Sequence, residues 1–160
     1  MGGKEGLFEI KATKSGIDKN KLNLQEGDIP YITRSEVDNG INLFVGDKQK
    51  EKYQRDEGNV ITIGLDTQTV FYQKNSFYTG QNIQVLRNEN LNKYTAMFVI
   101  PLLKIQMQKF SWGGNGATLG RLNRTKILLP TKNNDIDWQG MEDFIKQKEL
   151  EKIVEVLKYY

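Results

Sequence analysis

The sequence contains no cysteine and no histidine. The first absence removes disulfides, thiolate nucleophiles, zinc ribbons and iron–sulfur ligation. The second removes a Ser-His-Asp triad, a histidine general base and an HExxH metal site. Only three prolines occur, Pro30, Pro101 and Pro130, so Gly and Asn mark most of the breaks. The longest strongly apolar run, Met97 to Leu103, is far too short for a membrane span. Residues 1–6 (Met1-Gly2-Gly3-Lys4-Glu5-Gly6) lack the apolar core of a signal peptide and read as a tag or a disordered lead-in. These absences favour the cytoplasm. They leave an enzyme run on carboxylates and lysines, or a module that binds something.

What is present fits one domain. The chain has 160 residues, 38% apolar and 27% charged, which suffices for one real core. The net charge of +3 is unevenly spread. Residues 1–68 carry 10 basic and 12 acidic side chains, residues 69–134 carry 9 and 1, and residues 135–160 carry 4 and 7. A basic middle block of +8 is the footprint a polyanion partner needs, since each Lys or Arg on a phosphate releases counterions. The plain alternative is a set of cations scattered over a solvated surface.

The pattern predicts an α+β domain, rich in strands. Leu7 to Lys11, Pro30 to Thr33, Ile41 to Val45, Asn59 to Gly64, Thr69 to Gln73 and Ile83 to Arg87 read as strands by β-branched content. Asp38-Asn39-Gly40 is a tight-turn signal, because Asn and Gly tolerate positive φ. Asn90 or Asn92 should cap a buried helix over about 91–108, kinked or split at Pro101. Thr125 to Leu129 reads as a last strand, stopped by Pro130. The tail is helical over about 138–160. Met141, Phe144 and Ile145 share one face, whereas Leu150, Ile153, Val154 and Leu157 share a nearly opposite one. This predicts a break near 147–149, the first helix docking on the domain and the second suited to a helical partner. The alternative buries both faces in the same domain.

Two motifs could carry chemistry, and both have the wrong context. Gly114 to Gly120 contains GxGxxxG, yet it follows a helix instead of ending the first strand of a βαβ unit. Glu9-Ile10-Lys11 has the ExK spacing of metal nucleases, but no further carboxylates are placed to hold Mg²⁺, and no metal site is expected. No two prolines are adjacent, so the proline-pair loop of the usual adenine methyltransferases is missing. The polar loops are more informative. Lys74 to Asn82 combines one cation, three amides, hydroxyls and two rings, and Lys109 to Arg121 offers the same kinds of groups. Asn and Gln pair bidentately with adenine, Arg with guanine, and hydroxyls and backbone amides suit phosphates. The rings Phe77, Tyr78, Phe110 and Trp112 read more readily as core anchors.

Several runs resemble a known family. They are Gly27-Asp28-Ile29-Pro30-Tyr31-Ile32-Thr33-Arg34-Ser35 with Asn39-Gly40-Ile41, then Gly58 to Gly64, Val70 to Gln73 and Val85 to Arg87. Thr125-Lys126-Ile127-Leu128-Leu129-Pro130 follows, and then Asp137 to Ile145. In this order they resemble the target recognition domains of specificity subunits in type I restriction–modification systems and related fused type II enzymes. The resemblance spans about residues 7–147. It departs where Thr131 to Asp135 follows the closing proline, as in the type II-like branch. It also covers a single recognition domain, where full subunits carry two with two spacer helices.

The resemblance implies a curved, strand-rich recognition domain over 7–134 and acidic docking helices over 135–160. It implies a non-enzymatic reader of one half of a split site, working from the major groove of double-stranded DNA. A partner DNA methyltransferase would bind S-adenosylmethionine, with no cofactor in this chain. A restriction subunit, or a second copy pairing two half-subunits, would complete the assembly. The expected DNA contacts are Arg34, Ser35, Asn39, Lys74, Asn75, Gln81, Lys109, Asn115, Thr118, Arg121 and Arg124. The expected partner contacts are Leu150, Ile153, Val154 and Leu157. A rival reading is a protein-interaction or inhibitory module without DNA affinity, docking through the tail.

Overall fold

Alternation along the strands decides how the layers stack. In the computed structural model, which describes residues 1–3, 6–110 and 116–160, the chain forms β1 (Glu9–Ala12), β2 (Ile29–Ile32), β3 (Ile41–Val45), β4 (Val60–Gly64), β5 (Val70–Gln73), β6 (Tyr78–Thr79) and β7 (Ile83–Arg87). The helices α1 (Lys93–Met107) and α2 (Leu119–Arg124), the hairpin β8 (Thr131–Lys132) and β9 (Asp135–Ile136), and helix α3 (Trp138–Leu157) follow. One sheet has the order β1-β7-β4-β5 and is antiparallel throughout. A second has the order β3-β2-β6, with β2 and β6 parallel. The chain passes from one sheet to the other through Gly80-Gln81-Asn82.

β4 is buried along its whole length because both of its faces are covered. Ile61 and Ile63 point to α1 and meet Ala96, Val99 and Leu103. Val60 points to the second sheet and joins Ile32, Phe77, Ile83 and Val85. The far face of the second sheet is closed by Ile17 and Leu22, which lie in an otherwise polar loop, against Tyr31, Val45 and Tyr78. The order of layers is therefore helix, sheet, sheet, loop. Burial of this kind is the main favourable term in folding.

Five expectations need correction or addition. First, Thr125 to Leu129 is extended but forms no strand. Ile127 and Leu129 lean on the core while Leu128 is 93% exposed, so alternation survives without a pairing partner. The nearest sheet edge, β1, is covered by α2. Second, α2 itself was not expected; Thr118 caps it by accepting from Arg121 N. Third, the β8–β9 hairpin turns at Asn133-Asn134, both at positive φ, which is the type I′ requirement. Fourth, α1 runs unbroken through Pro101 and buries one face only, Thr95, Ala96, Val99, Leu103 and Met107. Pro101 and Ile105 face solvent. A proline is tolerated best on that side.

Fifth, α3 is continuous, and no break occurs at 147–149. No Gly or Pro lies between Met141 and Leu157. The ion pairs Lys146–Glu142, Lys148–Glu151 and Lys152–Glu155 support the exposed surface. The switch of apolar face marks a change of surroundings instead. Met141 and Phe144 meet α1, with Phe144 edge-on to Phe98 at 5.8 Å, whereas the second half of α3 leaves the domain.

Candidate nucleic-acid interface

Four cations converge where α1 ends and α2 begins. Lys109 leaves the last turn of α1, and Arg121 and Arg124 are one helical turn apart on α2. Lys126 follows on the extended segment. With Gln106, Phe110 and Thr125 they line a cavity of about 440 Å³. Among the described residues no carboxylate lines it, and none of the four cations forms an ion pair with an acid. The arginine at the centre is positioned. Arg121 Nη1 donates to Gly116 O at 3.0 Å, and the guanidinium lies 5.9 Å from the centre of the Phe110 ring. Lys109 Nζ donates to Gln106 Oε1 at 2.6 Å. Four like charges at one hollow repel one another, and an anion placed there relieves the repulsion.

A second polar group lies at the same end of the larger sheet. Arg34, just beyond β2, pairs with Asp66 in the turn between β4 and β5. Asn82 Nδ2 donates to the same carboxylate oxygen at 3.2 Å. Arg34 and Gln81 border a hollow of about 280 Å³ with Asp18, Lys19 and Thr33. The two groups are joined through Leu65. Its N–H donates to Asn82 O at 2.9 Å, and its carbonyl accepts from Ala117 N at 3.2 Å. Gly116, at φ +55, has no room for a Cβ, which would lie 2.7 Å from that same carbonyl. The glycine lets the α2 loop close on the sheet.

The remaining expected contacts lie elsewhere. Lys74 and Asn75 are exposed at the opposite end of β4 and β5, where Lys74 O accepts from Asn59 N. Asn39 is exposed but used internally: Nδ2 donates to Tyr72 O at 2.9 Å and to Gln73 Oε1 at 3.2 Å. The Ser35 hydroxyl accepts from Val37 N at 3.3 Å. Thr118 is exposed and caps α2. Asn115, together with Ser111 to Gly114, lies outside the described residues. Phe77 and Tyr78 are core side chains, and Phe110 is half-buried beneath Arg121.

Sequence reasoning missed Lys126, Asp66 and Asn82. Lys126 was hidden by the strand expected over Thr125 to Leu129. The Leu65-Asp66-Thr67 turn after Gly64 carried no signal that its carboxylate would face Arg34. Glu9 and Lys11 of the ExK motif pair with each other on edge strand β1. Among the described residues no group of three acidic side chains could hold a metal ion. Among them, too, no helix is long and apolar enough to cross a membrane. On α3, Leu150, Ile153, Val154 and Leu157 are between 48% and 64% exposed.

The chain belongs to the family of type I restriction modification DNA specificity domains, whose model matches residues 5–157. It is 32% identical over 142 residues to the specificity subunit S.BcgI of a type II restriction enzyme from Heyndrickxia coagulans. That match covers 88% of this chain and 41% of the relative, so the chain spans less than half of that subunit. The fold recurs in a chain solved in work on assembly and conformational transition of the type I system (TM-score 0.63, 16% identity, 96% of this chain and 38% of that one). It recurs in the HsdS subunit of Thermoanaerobacter tengcongensis (TM-score 0.56, 14% identity, 96% and 37%). It is also found in the type I S subunit of M. genitalium (TM-score 0.55, 16% identity, 95% and 40%).

Proposed function

We propose that the chain is a sequence-reading DNA-binding module that directs a partner adenine methyltransferase and does no chemistry itself. The observation that carries this is the cavity of Lys109, Arg121, Arg124 and Lys126, with four cations and no lining carboxylate among the described residues. Its preferred ligand is a DNA backbone phosphate, because phosphate contacts fix register while base edges supply specificity. The Arg34 and Gln81 hollow at the same end supplies the groups that suit a base edge in the major groove. The core over 7–134 is the reader, and 135–160 is the docking element. S-adenosylmethionine would be bound by the methyltransferase. The chain's share of the S.BcgI length fits one half of a split site, with a second recognition domain or a second copy reading the other.

The exposed stripe Leu150, Ile153, Val154 and Leu157 favours a protein partner for α3. Taken alone, the stripe also suits the second reading, a protein-interaction module without DNA affinity. Binding to a pool of random duplexes at two salt concentrations, with and without a methyltransferase subunit, separates the two. Salt-sensitive binding with enrichment of a short motif supports the DNA reader. No binding under any condition, with a stable protein complex through α3, supports the interaction module.

A further inference from the structure

The second polar group contains acids, Asp66 in the pair with Arg34 and Asp18 at the rim of the hollow, which a surface binding DNA phosphates would not need. Asp66 stands beside Arg34 at the end of the sheet where the cations gather, and a carboxylate there repels phosphate. Its surroundings hold it in place. It sits in the turn closed by Gln68 N to Gly64 O at 2.8 Å. Asn82 Nδ2 donates to the oxygen that Arg34 also uses. Asn82 has a positive φ of 60°, and its carbonyl ties down Leu65. Gly64 leaves no room for a side chain, since a Cβ would lie 2.6 Å from the Thr69 hydroxyl.

We infer that Arg34 reads a base and that Asp66 is the residue that positions it. This rests on the DNA-binding reading above. A guanidinium has five N–H donors in a rigid fork. Asp66 holds Nη1, and the Arg34 side chain stays half-exposed and lines a hollow together with Gln81, which leaves the rest of the fork for a ligand. Those remaining donors match the O6 and N7 acceptors of guanine in the major groove. A freely rotating arginine would settle on the nearest phosphate. The paired one is partly neutralised, so phosphate attracts it less and a neutral base edge competes better. The cationic cavity and the Arg34–Asp66 pair therefore divide the work, one for affinity and one for sequence.

The test is enrichment from random duplex DNA by the full chain at low salt, comparing wild type with Arg34→Lys, Asp66→Asn and Asp66→Glu. Arg34→Lys keeps the charge and loses the fork; Asp66→Asn keeps the shape and loses the charge. Both are expected to flatten the same single base-pair position by roughly ten-fold or more. The other positions should stay as in wild type in both; the salt dependence should steepen in Asp66→Asn, whose released arginine can settle on a phosphate, and Asp66→Glu should restore part of the preference. Thermal unfolding of each variant separates lost folding from lost reading. If Asp66→Asn does not fold, the loss of one position in Arg34→Lys still decides the role of Arg34. Equal tightening on every sequence by Asp66→Asn would overturn the proposal, making the pair a neighbour of the backbone. An unchanged motif in both variants would overturn it too. A wild-type chain with no DNA affinity would instead remove the reading on which it rests.

Discussion

Asn92 ties α1 to α3 with both ends of one amide. Its Oδ1 accepts from Tyr94 N and Thr95 N, capping α1, and its Nδ2 donates to Glu142 Oε2 of α3 at 2.7 Å. Thr95 Oγ1 completes the capping box by accepting from Asn92 N at 2.8 Å. Asn92→Ala removes the cap and the link together. It should cost about 1–2 kcal/mol in urea unfolding. Asn92→Asp keeps the capping oxygen but sets a carboxylate against Glu142, so it should fall between wild type and alanine.

The same link makes the helix pair sensitive to acid. Lys146 and Asn92, both bonded to Glu142, hold its carboxyl below the usual range. A lowered folded value means that the unfolded chain binds the proton first as pH falls. The contribution is present above the ordinary glutamate range and is lost as pH drops through the folded value. Near-neutral solutions should therefore keep α3 docked. The protection of the Met141 and Phe144 amides, relative to their intrinsic exchange rates, should fall as pH drops below the ordinary glutamate range, and less so in Glu142→Gln, which has no charge to lose.

Asp56 works in the opposite sense. It is 1% exposed, accepts from Lys14 N at 2.8 Å, and has Arg87 Nη2 at 3.6 Å. Burial pushes its carboxyl up, against the Lys14 bond and the Arg87 charge. A raised folded value means that the fold favours the protonated form. The stabilisation is therefore present at low pH and is lost as pH rises from the ordinary aspartate range through the folded value. Asp56→Asn keeps the acceptor for Lys14 and removes the titration. Its stability relative to wild type should rise across that window, measured by denaturant midpoints at several pH values.

The strands were legible because a period of two needs only neighbours in sequence. Ile29 to Ile32, Ile41 to Val45, Val60 to Gly64 and Ile83 to Arg87 lie where β-branched alternation predicts them. What failed depended on partners in space. Thr125 to Leu129 has the alternation of a strand, but α2 covers the edge it would need. The face switch in α3 was legible as a pattern, yet a helix leaving its domain keeps hydrogen-bonding itself and does not break. At the candidate interface, the arginines of the Arg121-Leu122-Asn123-Arg124 run could be named from composition. Lys109 could be named with them as part of the same polar loop, but that Lys126 joins the group could not, since only the α1–α2 corner brings it there. The Arg34–Asp66 pair joins residues from two sheets and left no trace in local sequence.

The layered core predicts sharply unequal costs for two leucines. Leu103 is fully buried between α1 and β4, so Leu103→Ala should cost about 2–5 kcal/mol, the transfer term plus a cavity. Leu128 is 93% exposed, so Leu128→Ala should change stability by less than about 0.5 kcal/mol. Equal losses at both would mean that the extended segment packs as a strand after all. Urea midpoints on the two variants decide it.

The cationic cavity makes a prediction that separates phosphate from base contacts. Each phosphate contact removed should lower the slope of log K against log salt by about 0.9. Lys126→Ala and Arg124→Ala should each do so, weakening all sequences alike and leaving the enriched motif unchanged. Arg121 is the sharper case, because the Gly116 carbonyl and the Phe110 ring hold it facing the same hollow. If Arg121 seats a phosphate, Arg121→Ala lowers the slope and spares the motif. If it reads a base, the cost of about 1–3 kcal/mol falls on one base-pair position and the slope is kept. Among the described residues no carboxylate lines the hollow to offset the attraction of the cluster for the backbone, which favours the first outcome. Titrations at four salt concentrations on matched and scrambled duplexes measure both quantities together.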